Sequence, residues 1–216
     1  MNPAQRAALA RAIAASSLPG FSSDDRQAAF VVLQDLEKYE NRVQLSIEWL
    51  REPQHVYDQH DITTATKLLA LEILDGFLVR GYSNCSADER VQLRQTVLQS
   101  AQAPLNRVLG RKIAVILEGL IIRDFPQRWT TLADDLFRNL WHSGGMKVIL
   151  EAFKLVAEDC TDSDFNAKIS TTRRNDVLKG LNEISSSFLP LFFQLLQSQY
   201  SNLQQSRSSL FQMHSY

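Results

Sequence analysis

Residues 112–137 read KIAVILEGLIIRDFPQRWTTLADDLF. From Ile113 to Ile122 the segment is apolar around nearly its whole circumference, and the alternation of a half-buried strand is missing. Such a stretch is a helix buried between neighbours. Pro126 breaks it. An amphipathic segment follows from Gln127 to Trp141, with Trp129 at its opening. Apolar helix, sharp corner and amphipathic helix form a unit that recurs. VILEGL at Val115–Leu120 returns as VILEAF at Val148–Phe153, 33 positions on. Looser counterparts are LQDLEKY from Leu33 and LALEIL from Leu69. Each copy lies in the more apolar second helix of a pair whose first helix is amphipathic, and successive pairs lie roughly 33 to 46 residues apart, the period of helical-hairpin repeats. One hairpin cannot bury its own core; stacking hairpins side by side buries the second helix of each against both neighbours. No TPR pattern of small and aromatic residues is visible, so the HEAT type is expected: an all-α chain forming a right-handed α-solenoid of HEAT-type hairpins.

Composition agrees. The 216 residues hold only 8 Gly and 6 Pro, nearly all between apolar-periodic segments, as helices require because these residues cost most inside them. Lys and Arg total 23 against 24 Asp and Glu, a net charge of −1, which leaves no basic footprint for a free-standing nucleic-acid-binding module. No apolar run reaches the roughly 18 residues that would span a bilayer, so no membrane insertion is expected. The first residues lack the apolar core of a secretory signal. Two cysteines, Cys85 and Cys160, are too few for a disulfide framework or a zinc site.

About ten helical segments can be drawn. Asn2 to Ala15 precedes a break at Pro19-Gly20. Ser22 or Ser23 caps the next helix, with Asp24 and Asp25 in its first turn. Arg42 to Arg51 stops before Pro53. Asp61 to Val79 is strongly apolar. Ser86 opens a capping box with Glu89. Leu105 to Arg123 ends at the corner, and Met146 to Asp159 precedes a polar loop. The last long segment runs from Thr172 to Leu203, with a kink or split expected at Pro190. Residues 1–205 read as one repeat region and 206–216 as a disordered or truncated tail.

Chemistry is sparse. His55 and His60 flank Asp58, with Asp61 near, and could be drawn as a metal or acid–base cluster; a solvated loop accounts for them more simply. Neither cysteine has an activating neighbour. Gly144-Gly145 lacks any phosphate-loop pattern. Asp134-Asp135 reads as a solvated face. Basic residues cluster locally at Arg107, Arg111 and Lys112, and at Arg173-Arg174, where a solvated face or a helix-dipole contact suffices. No enzyme activity and no cofactor are expected. The peculiar aromatics are those of the corner, Phe125 and Trp129 beside Pro126, read as a structural lock on the angle between hairpins.

The block Lys112–Phe137 resembles the importin-β superfamily of nuclear transport receptors, and within it the exportins. These carry an apolar helix, a basic–acidic pair, an aromatic residue, Pro, two polar residues and Trp, here Arg123, Asp124, Phe125, Pro126, Gln127, Arg128 and Trp129. KLLALEILDGFLVRGY (Lys67–Tyr82), KLVAEDC (Lys154–Cys160), TTRRNDVLKGLNEI (Thr171–Ile184) and FLPLFFQLLQ (Phe188–Gln197) are most similar to the exportins that carry precursor microRNAs and other double-stranded RNA.

The resemblance implies a function. Family members grip the small GTPase Ran in its GTP state with the inner helices of an N-terminal arch. They carry structured RNA (precursor microRNA, tRNA-like) or protein cargo past nuclear pore proteins, shuttling between nucleus and cytoplasm. Inner helices would be the second of each pair, about 23–39, 61–79, 107–123 and 146–159. On them Thr63, Thr64, Lys67, Arg111 and Lys112 are candidate Ran contacts, chosen as polar residues at helical spacing. Family members are several times longer, so the chain is expected to be a fragment holding about four and a half hairpins. A HEAT-type protein-interaction scaffold without a transport role is the alternative.

Overall fold

Ser22 and Ser86 each start a helix by the same device. The hydroxyl of each accepts the backbone N–H three residues on, and the acid at that position, Asp25 or Glu89, accepts the serine's own N–H. Two of the four orphan N–H groups of a helix start are satisfied in this way. Asn106 caps a third helix through Leu109. The computed structural model describes residues 3–17, 19–52, 60–103, 106–140, 145–161 and 169–213. Among them nine α-helices and no strand are found: α1 (Pro3–Ser17), α2 (Ser23–Lys38), α3 (Arg42–Arg51), α4 (His60–Arg80), α5 (Ala87–Gln102), α6 (Arg107–Asp124), α7 (Leu132–Leu140), α8 (Met146–Thr161) and α9 (Thr171–Met213). A 3₁₀ turn at Tyr82–Asn84 joins α4 to α5. None of the described helices is long and apolar enough to cross a membrane.

Helices α3 with α4, α5 with α6 and α7 with α8 pair as hairpins. The hairpins lie side by side in two rows. Second helices α4, α6 and α8 pack in sequence, and first helices α3, α5 and α7 pack in sequence beside them. The most deeply buried stretch is the segment that defines the repeat: Ile113, Ala114, Ile116, Leu117, Leu120 and Ile121 of α6 are fully covered, because α6 has α4 on one flank and α8 on the other. Gly119 lets Leu78 of α4 approach.

Three expectations are corrected. Helix α1, not α2, packs against α4; small residues allow it, since Ala12 and Ala15 close directly on Ala29 of α2. Helix α2 is thereby set outward, and its Phe30 is 55% exposed. The helix expected from Gln127 begins only at Leu132, because residues 125–131 are used to turn the chain, with a cis peptide at Phe125–Pro126. The last helix runs unbroken through Pro190, where a kink or split is expected, to Met213. His55, Asp58, Trp141 and Gly144 lie outside the described residues, as do the side chains of His60 and Asp61.

Candidate functional site

The corner between α6 and α7 is built around Asp124, whose side chain is fully buried. A buried carboxylate is costly unless paired and hydrogen-bonded, and this one is both. Tyr82 donates its hydroxyl to Oδ2. Arg94 Nη1 donates to the same oxygen at 3.0 Å and to the Arg128 carbonyl at 2.9 Å. Arg90 Nη1 lies 3.5 Å from Oδ1. Arg90 is fixed by its Nε donating to the Cys85 carbonyl (3.1 Å) and its Nη2 to the Ser83 carbonyl (2.9 Å). Each guanidinium also lies over a ring: Arg90 is 5.0 Å from the Tyr82 centroid, and Arg94 is 5.2 Å from that of Trp129. Burial, and then the hydrogen bond to Asp124, push the Tyr82 phenol far above its ordinary range.

Phe125 and Trp129 are buried, with Pro126 at the rim. Trp129 donates Nε1 to Asp135 Oδ2 at 2.7 Å, and Thr131 donates to the same oxygen at 2.8 Å. Asp135 is therefore an anchor for the tryptophan rather than part of a solvated face. Arg173 makes the helix-dipole contact that its sequence reading allowed. From the first turn of α9 it donates to the carbonyls of Ile122 and Phe125 and to Gln127 Oε1. It thus supplies the carbonyl-rich end of α6 with a cation. Gln127 donates in turn to Asp176 at 3.1 Å. The corner seats α9 as well as joining α6 to α7.

The candidate Ran contacts separate. Thr63 is 3% exposed and faces inward, so it offers no surface to a partner. Thr64 and Lys67 are half-buried on α4, and burial lowers the Lys67 ammonium from its usual range, opposed by Glu52. Arg111 is exposed on α6, and Lys112 reaches back to Asp75 of α4 at 3.6 Å. These residues share the row of second helices; α4 and α6 are adjacent in it. Beside α4 a groove of about 670 Å³ is floored by Leu33, Leu36, Leu69 and Ile73, with Phe30 at its edge. The cysteines are free, and burial raises both thiols. No group of three metal-ligating side chains occurs among the described residues.

Sequence reading missed Asp124, Arg90 and Arg94 as a network. A usable signal was present: Arg90 and Arg94 are four apart on a helix face that continues into Val97, Leu98 and Ala101, so both cations point toward the core and need a buried anion.

Comparison with known proteins places the chain. It is 27% identical to Exportin-5 of Dictyostelium discoideum over a 179-residue alignment, which covers 78% of the chain. The aligned part is 16% of that relative, so the chain spans under a fifth of its length. Residues 106–216, which open at the Asn106 cap of α6 and run through the Asp124 corner and α9, match the Exportin 1-like protein family. Since that match covers just over half of the 216 residues, the chain belongs to the Exportin 1-like family, whose members are nuclear export receptors.

Proposed function

We propose that this chain is the part of a nuclear export receptor that binds Ran in its GTP state, with the hairpins forming a right-handed HEAT-type solenoid. In this reading the complete receptor carries structured RNA or protein cargo past nuclear pore proteins and shuttles between nucleus and cytoplasm. The observation that carries it is the juxtaposition on the second-helix row: Lys67, Arg111 and Lys112 lie on adjacent α4 and α6, beside an apolar-floored groove edged by an exposed Phe30. A surface that combines exposed apolar area with a few charges is suited to a protein partner. The two carrying helices are the ones the family pattern assigns to the inner face. Thr63 leaves the contact set because it is buried; Thr64, Lys67, Arg111 and Lys112 remain in it.

The test is capture of Ran loaded with GTP or GDP on the immobilised chain and on its complete receptor. Preference for the GTP form, weakened by Arg111→Glu together with Lys67→Glu, supports the reading. Equal capture of both forms by the complete receptor would sink it and leave a HEAT-type scaffold.

A further inference from the structure

The first-helix row carries a second, differently built surface. Arg90, Arg94 and Arg128 line one cavity of about 440 Å³ together with Cys85, Ala87 and Val91. A neighbouring groove of similar size shares Val91 and Arg94 with it and continues along α5 past Gln95 and Gln99 to Gln102, with Thr131 and Asp135 as its far wall. The two make one trough on the outward face of α5.

Its charged end is preorganised and only partly spent. Arg90 and Arg94 are 7% and 9% exposed, and both are held by the contacts described above. Arg94 commits only Nη1 to protein acceptors. Among the described residues its Nε and Nη2 make no hydrogen bond. Arg128 is exposed, with its side chain unbonded among the described residues, and it lies close enough to Arg173 to oppose that residue's charge. Two guanidiniums, Arg90 and Arg94, thus share one buried carboxylate, Asp124, and a third, Arg128, lines the same cavity. Two neighbouring acids are engaged: Asp135, which lines the trough, accepts from Trp129 and Thr131, and Glu89 accepts from the Ser86 cap. A planar fork of donors with charge to spare selects a carboxylate or a phosphate.

The other end decides between them. Gln95, Gln99 and Gln102 fall on one helix face, and each amide both donates and accepts, which suits the backbone of an extended polypeptide. A nucleic acid would present a phosphate at every step, and the uncharged stretch ending in Asp135 would leave those phosphates unpaired or repelled. We infer that the trough is a docking site for an extended acidic peptide segment, with a carboxylate at Arg94 and Arg128 and its backbone along the α5 glutamines. The site lies on the opposite row from Lys67 and Arg111 and does not depend on Ran binding.

Fluorescence anisotropy with a labelled decapeptide of alternating Ser and Glu tests it, using alternating Ser–Gln and a ten-nucleotide oligouridine as comparisons. The Ser–Glu peptide is expected to bind about tenfold or more tightly than Ser–Gln, and Arg128→Glu to weaken it about tenfold or more, the scale of one charge-assisted hydrogen bond. Arg128→Gln, which keeps the backbone carbonyl that Arg94 uses, is expected to fall between. Arg111→Glu on the other row should leave affinity unchanged. Circular dichroism melting establishes that each variant is folded. Equal binding of Ser–Glu and Ser–Gln, or no binding of either, overturns the assignment, as does insensitivity to both Arg128 variants. Tighter, Arg128-dependent binding of oligouridine overturns it in favour of RNA.

Discussion

Trp129 shows how one residue serves two purposes at the corner. Its ring fills space between α5 and α7 and takes the Arg94 guanidinium on its face, while its N–H is satisfied by Asp135. Truncation removes all three contacts. Trp129→Ala is expected to destabilise the chain by about 3–5 kcal/mol, the range for a buried large aromatic, read as a shift in the urea midpoint; a loss below about 1 kcal/mol would mean that the ring is not a core element. Tyr82 makes a different prediction. Its pKa is raised in the folded protein, chiefly by burial, so the native state favours the protonated phenol. The contribution is fully present below the unfolded value near 10 and is lost as pH rises beyond it. The chain should therefore lose stability above about pH 10, and Tyr82→Phe should flatten that alkaline limb while costing stability at neutral pH. An alkaline limb that survives in Tyr82→Phe would assign it to other groups. Trp129 was legible in the sequence because a large aromatic beside a Pro-marked corner has few places to go but inward. Asp124 was not, because an acid at the end of a helix reads as solvated unless its cations, 30 and 34 positions away in sequence, are known to fold onto it.

At the level of helices, local chemistry fixed the starts. The Ser22 and Ser86 boxes are visible as a serine with an acid three positions on, and α3, α4, α6 and α8 appear within about two residues of their periodic segments, the usual uncertainty of helix ends. Placement of α2 was not readable this way. Its apolar positions fit an inner helix, but which helix of the first pair meets α4 depends on how closely α1 and α2 approach, and this is set by alanines that carry no strong signal in a pattern. Helix α9 was legible at its start but not in its unbroken length or its seat. Gly180 explains the seat: a Cβ there would lie 2.6 Å from the Phe125 ring and 3.1 Å from Pro126. Gly180→Ala therefore sets two terms against each other. Helix propensity favours alanine by about 1 kcal/mol, and overpacking against a fixed side chain costs about 1–3 kcal/mol. Phe125 is 2% exposed and enclosed, so the clash should win, with a net loss of up to about 2 kcal/mol in chemical denaturation. A gain would mean that α9 can lift from the corner without cost.

Across the whole molecule, hairpins that touch only their neighbours should divide stability into local terms. The Asp124 network is well placed to expose this. Its members come from the turn after α4, from α5 and from the corner, and Arg173 couples the same corner to α9. Helices α1 and α2 meet the rest through α4, and their contact includes a separate small alanine cluster, Ala12, Ala15 and Ala29. Asp124→Asn keeps the shape of the side chain but removes the anion that two buried guanidiniums share, a change expected to cost about 3–5 kcal/mol locally because the cations are left uncompensated. In an array governed by nearest neighbours, the added amide exchange should concentrate in α5, in the C-terminal half of α6, in the corner and in the first turns of α9. Exchange in α1 and α2 should stay near its wild-type rate. Hydrogen–deuterium exchange read by mass spectrometry on the two proteins separates the cases. A uniform rise along the chain would mean that the hairpins unfold as one cooperative unit. A rise confined to α5 would mean that the corner holds α9 without help from Asp124, leaving Arg173 and Gly180 as the whole of that joint.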